Sequence, residues 1–207
     1  MAPTAVTDVP AGDAAERRVL AAAGRCVARW GVAKTTLDDV AREAGCSRAT
    51  VYRAVPGGKD ALVAAYVRAE LDRFFATVAR RLDAATDLED LLAGGLSEAA
   101  RLLAGHEPLQ YLLANEPEVV LPAVAFGRMD RVFARAAEFA APWLRPWLGD
   151  RAGEAAEWLC RLACSYLLSP APGIDLTDED DARRLVRDFV LPGLRPVPAL
   201  DLTDDRS

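Results

Sequence analysis

Hydrophobic positions recur at helical spacing through most of the chain. In residues 13–31 the apolar side chains follow one another at intervals of three or four: Val19, Ala23, Val27 and Trp30. This spacing places them on one face of a helix. No segment shows the strict alternation of apolar and polar residues, rich in Val, Ile and Thr, that predicts a strand. The pattern therefore predicts an all-α fold.

Local start and stop signals divide the pattern into separate helices. Asp13 with Glu16, and Thr36 with Asp39, have the spacing of a capping box, and Gly31 marks the end of the first helix. Further helices are predicted at 48–54, 59–82, 87–104, 107–114, 117–140, 152–169 and 178–190.

Proline and glycine predict two breaks in this series. Pro56-Gly57-Gly58 separates a short third helix from a long fourth one. Pro142 and Pro146 are expected to interrupt the chain around Trp143 and Trp147.

Residues 37–55, LDDVAREAGCSRATVYRAV, meet the local demands of a helix-turn-helix. Ala41 supplies a small side chain where the second helix must cross the first. Gly45 supplies a turn residue that tolerates positive φ. Inward-facing apolar residues are available at the required spacing: Leu37, Val40, Ala44, Cys46, Val51 and Ala54.

The outer face of the second helix in this motif carries hydrogen-bond donors and no carboxylate. One alternative is a plain pair of packed helices in a bundle, the second of which happens to be polar. However, the helix is too short to contribute much core. Its donors can bond the phosphates of DNA, and its face carries no carboxylate that would repel them. The pattern therefore favours a nucleic-acid contact.

Charge is distributed unevenly along the chain. Residues 1–60 hold nine Lys and Arg against seven Asp and Glu, whereas the remainder holds 16 against 24, within a total net charge of −6. A mildly basic end on an acidic protein suits contact with nucleic acid at that end only. The sequence shows neither a signal peptide nor an apolar run long enough to span a bilayer, so a cytoplasmic protein is expected.

The chain offers little material for catalysis or metal binding. It has one histidine, His106, expected at the surface or as a helix cap, and four cysteines without a metal-binding spacing. Cys160 and Cys164 would share one helix face, where buried thiols acting as small hydrophobes are expected. We therefore expect no enzyme activity, no cofactor and no metal.

Residues 14–66 resemble the N-terminal domain of the TetR family of bacterial transcriptional regulators. A first helix ending in WG, then TTLDDVAREAGCSRATVYRAV, then PGGKDAL carry the resemblance. It implies a three-helix DNA-binding head whose third helix enters the major groove, joined by helix four to a helical ligand-binding and dimerisation body. The division this predicts is a disordered leader at 1–12, the head at 13–58, the body at 59–195 and a flexible tail at 196–207.

The family motif assigns DNA contacts residue by residue. Thr36, Tyr52 and Lys59 match positions that contact the phosphate backbone. The surface of the recognition helix corresponds to Ser47, Arg48, Ala49, Thr50 and Arg53. On chemical grounds, Arg48 is expected to bond guanine, and Ala49 or Thr50 a thymine methyl or a phosphate.

The sequence departs from the family motif at two places. The family often continues Tyr-x-His/Tyr-Phe, whereas this chain has Tyr52-Arg53-Ala54-Val55 and lacks the aromatic clamp. Gly58 stands where Ser or Asn usually caps the fourth helix. These departures leave Arg53 as the prominent side chain at that end of the recognition helix.

Resemblance in the body is limited to general architecture, with NEPEVVLPAV and RLACSYLLSP typical of actinobacterial members. It implies that the last two long helices pair with those of a second copy. The apolar surface for that dimer is predicted to come from Trp158, Leu162, Cys164, Leu168, Leu185, Phe189 and Val190. Candidates for an effector pocket are Tyr111, Phe126, Met129, Phe133, Trp143 and Trp147, although such a stripe also suits ordinary core.

The function these features predict is a dimeric, ligand-responsive repressor that binds a palindromic DNA operator. Its expected partners are operator DNA, a second copy of the chain and a small-molecule effector. The alternatives are an activator of the same family, and a helical-bundle ligand-binding protein or enzyme with a vestigial DNA-binding head. For an enzyme, the body would need converging catalytic groups, and the acids at 178–181 suit a helix cap instead.

Overall fold

The computed structural model describes residues 11–124, 129–168 and 172–194, and every regular element in these ranges is helical, as predicted. The α-helices are α1 (Ala11–Lys34), α2 (Leu37–Glu43), α3 (Arg48–Ala54), α4 (Gly58–Asp83), α5 (Leu88–Ala104), α6 (Glu107–Asn115), α7 (Pro117–Val124), α8 (Met129–Leu148), α9 (Ala152–Leu168), α10 (Glu179–Leu185) and α11 (Leu191–Leu194). A 3₁₀ turn (Gly149–Arg151) precedes α9, and a π-helical turn (Val186–Val190) joins α10 to α11.

The chain divides into two compact units, each built from two stretches of sequence. Unit 1 comprises Met1–Thr77 and Leu102–Met129, and unit 2 comprises Val78–Arg101 and Asp130–Ser207. The predicted DNA-binding segment 13–58 lies in unit 1. Except for Ala11 and Gly12, which open α1, the predicted leader lies outside the described residues, as does the predicted tail.

Helix α1 ends its regular geometry where the glycine signal predicted a stop. Gly31 has φ 79° and ψ 174°, so one further turn, Val32–Lys34, follows a sharp break. This left-handed backbone conformation is one that glycine adopts without strain. The chain reaches α2 two residues after that turn.

The core of unit 1 packs α1 against α2, α3 and α4. The apolar face predicted for α1 is buried in it, with Val19 fully buried and Val27 at 3% exposure. Leu62 and Tyr66 bring α4 into the same interior. The amphipathic pattern therefore predicted the packing of the head correctly.

Helix α8 corrects the predicted break around Trp143. The helix runs from Met129 to Leu148 with Pro142 and Pro146 inside it. A proline in a helix interior costs about 3 kcal/mol, but Phe133, Ala137 and Leu144 form a buried stripe that spans the first proline. Burial of this stripe offsets the missing hydrogen bonds, because tertiary packing dominates helix stability.

In unit 2, ion pairs join the end of α4 to α5 and α10. Arg81 of α4 donates to Asp90 of α5 at 2.6 Å and to Glu179 of α10 at 3.3 Å. Arg183 of α10 also reaches both carboxylates. Gly94 makes room for the group, since a Cβ there would clash with the guanidinium of Arg81.

Candidate nucleic-acid interface

Helix α2 begins with the capping box that the sequence predicted. The Thr36 hydroxyl accepts from the Asp39 amide at 3.2 Å, and the Asp39 carboxylate accepts from the Thr36 amide at 3.1 Å. The hydroxyl also donates to that carboxylate, and this bond holds the pKa of Asp39 below its usual value. The box fixes the point where the motif starts.

The turn between α2 and α3 has the geometry of a helix-turn-helix. Gly45 lies at φ 64°, and the Cys46 amide donates to the Ala41 carbonyl at 2.9 Å. Ala41 is buried where the helices meet, and Val51 of α3 is 1% exposed. Both sequence signals, the small residue and the glycine, therefore stand where the crossing requires them.

Helix α3 buries one residue and presents the rest of its surface. Ser47 caps it, since its hydroxyl accepts from the Thr50 amide at 3.1 Å. The Thr50 hydroxyl lies 3.0 Å from that of Ser47 and accepts from Arg53 at 3.3 Å. The predicted reading residues are exposed, apart from Thr50, which is half-buried: Ser47, Arg48, Ala49, Tyr52 and Arg53.

Arg48 is held by two neighbours on this surface. Its Nη1 donates to Asp38 Oδ2 of α2 at 3.0 Å, and its guanidinium carbon lies 5.7 Å from the centre of the Tyr52 ring. The hydrogen bond with Tyr52 and the charge of Asp38 raise the pKa of Arg48. Helix α3 itself carries no carboxylate, but α2 places that of Asp38 beside Arg48 from ten residues earlier.

The two predicted phosphate contacts beside α3 have structural partners of their own. Thr36 is exposed and engaged in the capping box. Lys59, at the start of α4, donates from Nζ to the Ala33 carbonyl at 3.0 Å. Thr36 and the Lys59 ammonium therefore both lie where the last turn of α1 leads into α2.

The pocket candidates are distributed over both units. Tyr111 is half-buried in unit 1. In unit 2, Phe133 is buried with the Arg161 guanidinium carbon 4.4 Å from its ring centre, and Trp143 donates to Asp83 Oδ1 at 2.8 Å. Trp147 is 49% exposed. Phe126 and the side chain of Met129 lie outside the described part of the chain.

A cleft of about 330 Å³ opens in unit 1 beside α1, α4 and α6, and its lining includes Tyr66, Glu70 and His106. Burial raises the pKa of the Tyr66 hydroxyl. His106 caps α6, as expected, since its Nδ1 accepts from the Leu109 amide at 3.1 Å. None of the predicted pocket residues borders this cleft.

The dimer candidates differ in how much surface they offer. Trp158 and Phe189 are 42% and 68% exposed, and Leu162 and Cys164 are half-buried. Leu185 and Val190 correct the prediction, because they are 3% and 0% exposed and pack in the interior of unit 2. The side chain of Leu168 lies outside what the structure describes.

The described residues offer neither a membrane-spanning helix nor a metal site. No helix there is long and apolar enough to cross a membrane. Within the same residues, no three His, Cys, Asp or Glu side chains come together in a way that could hold a metal ion.

Comparison with known proteins agrees with this geometry. A family model described as "Bacterial regulatory proteins, tetR family" matches residues 19–66, from the core of α1 to the middle of α4. The HTH-type transcriptional regulator Rv1255c of Mycobacterium tuberculosis is 28% identical over 88% of this chain and 86% of its own.

Two solved structures share the fold. The multidrug binding protein EbrR, complexed with imidazole, is 28% identical and has a TM-score of 0.56 over 89% of this chain and 96% of its own. The TetR family repressor AlkX from Dietzia sp. is 22% identical, with a TM-score of 0.61 over 86% and 94%. Residues 19–66 therefore carry the helix-turn-helix domain of the TetR family, and the chain is a DNA-binding transcriptional regulator.

Proposed function

We propose that this regulator is a repressor that binds a palindromic operator as a homodimer and releases it when a small molecule binds. The observation that carries the proposal is the exposed face of α3, where Arg48, Tyr52 and Arg53 stand on a helix with a single buried residue. A helix that contributes so little to the core is free to carry recognition chemistry. Repression is supported by the likeness to AlkX, a repressor by its name.

The contacts of α3 divide into reading and positioning. Arg48 reads a guanine through its O6 and N7, while Ala49 and Thr50 contact a thymine methyl or a phosphate. Ser47 and Arg53 complete the surface that faces the major groove. Thr36, Tyr52 and Lys59 bind phosphates and set the register without reading sequence.

The dimer uses the exposed apolar surface of α9 and the chain that follows α10. Trp158 lies beside Gly193, 3.5 Å from the position that a Cβ there would take, and Phe189 is the most exposed large apolar residue described. Large apolar side chains exposed together often mark a surface that another protein covers. In a two-fold dimer the same surface would cover itself, with Leu162 and Cys164 beside it.

The effector is proposed to be a small molecule, in keeping with EbrR, which is named as a multidrug binding protein. Among the candidates, Tyr111, Trp143 and Trp147 keep part of their surface open, whereas Phe133 is committed to packing under Arg161. Binding would act by shifting the population away from the DNA-binding conformation.

The test begins with selection of DNA fragments bound by the purified protein from the source genome. Footprinting should then reveal two half-sites whose centres lie about 34–36 Å apart, one turn of DNA. Transcription from a promoter containing the site should fall when the protein is added, and a metabolite screen should find a compound that restores it. A single unpaired half-site, or transcription that rises on addition, would contradict the proposal.

The dimer has its own test. Phe189→Glu and Trp158→Glu should each convert the protein to a monomer in sedimentation and weaken operator binding, because a charge cannot be buried at the interface. Val119→Glu is the matched control, since Val119 is also an exposed large apolar residue, at 40%, but lies on α7. Monomers in the wild type, or equal effects of all three changes, would count against this surface.

A further inference from the structure

The last turn of α1, which leads into the connection to α2, is held by a carboxylate from a distant part of the sequence. Glu116, between α6 and α7, accepts from the Val32 amide at 2.9 Å and from the Ala33 amide at 3.3 Å. Its side chain is buried, with the residue 9% exposed. Because Gly31 breaks α1, these two amides would otherwise need water or another acceptor.

The carbonyls of the same connection are also bonded to side chains. The Thr35 hydroxyl donates to the Gly31 carbonyl at 2.6 Å, and Lys59 Nζ donates to the Ala33 carbonyl at 3.0 Å. Side chains from Thr35, from α4 and from the α6–α7 junction therefore bond four backbone polar groups of residues 31–33.

Gly31 and Glu116 fit each other closely. A Cβ at Gly31 would clash with the carboxylate of Glu116, and the φ of 79° is one that other residues rarely adopt. Glu116 is itself fixed as the C-cap of α6, since its amide donates to the Leu112 carbonyl at 2.9 Å. Pro117 then opens α7. The carboxylate thus stands on a junction whose backbone is defined on both sides.

The segment that Glu116 holds is the one that presents the proposed phosphate contacts. Thr36 caps α2 just beyond this segment, and the Lys59 ammonium is held by the Ala33 carbonyl within it. A shift of the segment would move both groups. The same segment also fixes where α2 begins, and α3 packs against α2.

We propose that Glu116 is a positioning residue for DNA binding, which sets Thr36 and the Lys59 ammonium for their phosphates through the amides of Val32 and Ala33. The proposal rests on the phosphate contacts assigned above. In this arrangement the α6–α7 junction controls the geometry of the DNA face without touching DNA. Displacement of the α6–α7 junction would move the Glu116 carboxylate away, and the amides of Val32 and Ala33 would then donate to water.

The first measurement needs no DNA. Hydrogen exchange in the full-length protein compares the wild type with Glu116→Ala and Glu116→Gln, the latter keeping the side-chain volume and one acceptor oxygen. The amides of Val32 and Ala33 should exchange roughly tenfold faster in the alanine variant and less so in the glutamine variant. The Val51 amide, in the middle of α3, serves as the reference. Unchanged exchange at residues 32 and 33 would overturn the proposal.

The second measurement uses a duplex selected by the wild-type protein from a random library. Glu116→Ala should weaken binding about tenfold, and Glu118→Ala, the same truncation at an exposed acid two residues on, should not. Glu116→Ala combined with Lys59→Ala should weaken binding less than the product of the two single effects, because both act on one contact. In the double variant of Glu116→Ala and Arg48→Ala, the two losses of affinity should multiply, because the residues act on separate contacts.

The two measurements separate the possible failures. If the wild type selects no duplex, the proposed function fails and the role of Glu116 in DNA binding fails with it. If the wild type binds but Glu116→Ala binds equally well, only the positioning role is overturned. The positioning role is also overturned if Glu116→Ala weakens binding by the same factor in the Lys59→Ala and the Arg48→Ala backgrounds. Such a result would indicate a general loosening of the fold.

Discussion

Two arginine–aspartate ion pairs, one in each unit, differ in how far their side chains are buried, and this difference suits them to different roles. Arg48 and Asp38 join α3 to α2 at 3.0 Å, with side chains 55% and 58% exposed. Arg81 and Asp90 join α4 to α5 at 2.6 Å, with side chains 22% and 16% exposed. The first pair lies on the face that we propose for DNA contact, whereas the second joins helices in unit 2.

Exposure sets what each pair can contribute. Water and salt screen the Arg48–Asp38 pair, so it stabilises the fold little and costs little to open. The Arg81–Asp90 pair is screened less and is reinforced by Arg183 and Glu179. The exposed environment suits the proposed role of Arg48, which would exchange a protein carboxylate for a base edge. The less exposed environment suits Arg81, which joins three helices.

The largest effect is expected from Asp90→Ala. Asp90 accepts from Arg81, from Arg183 and from the Thr86 amide at 3.1 Å. Its loss removes the shortest acceptor of Arg81 and leaves two half-buried guanidinium groups to share Glu179. The free energy of unfolding should fall by about 3 kcal/mol, measured by urea denaturation at fixed protein concentration. Asp38→Ala, the matched change in the exposed pair, should cost less than about 0.5 kcal/mol. Similar losses from both variants would remove the distinction between the pairs.

The pH dependence of a second variant, Asp90→Asn, tests the charge of this carboxylate directly. Hydrogen bonding from Arg81 lowers the pKa of Asp90. A carboxyl whose pKa is lower in the folded state stabilises the fold at pH values above its unfolded pKa of about 3.9. This stabilisation is lost as the pH falls through the lower, folded pKa. The difference between wild type and Asp90→Asn should therefore be constant near neutrality and shrink below about pH 4.

Arg48→Ala should change recognition instead of stability. Loss of a bidentate contact with guanine should remove about 1–3 kcal/mol of discrimination at one base pair of each half-site. Titrations with the selected duplex and with single-base variants would measure it, and urea denaturation would confirm an unchanged fold. If base preference is the same in wild type and variant, Arg48 does not read sequence.

Asp38→Asn should produce a smaller change of a different kind. Removing a negative charge near the phosphates should strengthen binding to every duplex by a few-fold at low salt. The preference for guanine at the base pair that Arg48 reads should also fall, because the guanidinium loses the carboxylate that holds it in place. Glu118→Gln removes the same charge from α7 and is the control. Weaker binding to scrambled DNA would show that the carboxylate does not oppose the phosphates.

The sequence was most informative where a signal and its structural consequence lie within a few residues. Thr36 with Asp39, Gly45 and Ser47 act through local backbone geometry, so the boundaries of α2 and α3 were predictable. The amphipathic stripe of α1 likewise predicted its buried face. These features need no knowledge of the rest of the fold.

Contacts between residues far apart in the sequence could not be predicted from it. Asp38 meets Arg48 only because the two helices cross, and Glu116 meets Val32 across 84 residues of sequence. Leu185 was expected at a dimer surface, yet it lies inside unit 2, because helical periodicity identifies an apolar face without indicating what covers it. Pro142 shows the converse, since packing on both sides kept α8 helical through a residue that locally favours a break.

Lys59→Ala is expected to have the most uniform effect on DNA binding, and it completes the comparison of contacts that read with contacts that position. A lysine on phosphate carries no base preference, so binding to cognate and scrambled duplexes should weaken alike. The slope of log affinity against log salt should fall in magnitude by about one, because one fewer counterion is released. Arg48→Ala and Lys59→Ala titrated over the same salt series would separate the two roles. A change in base preference without a change in slope for Lys59→Ala would reverse the assignment, because it would place the ammonium on a base edge and leave the phosphate to another residue.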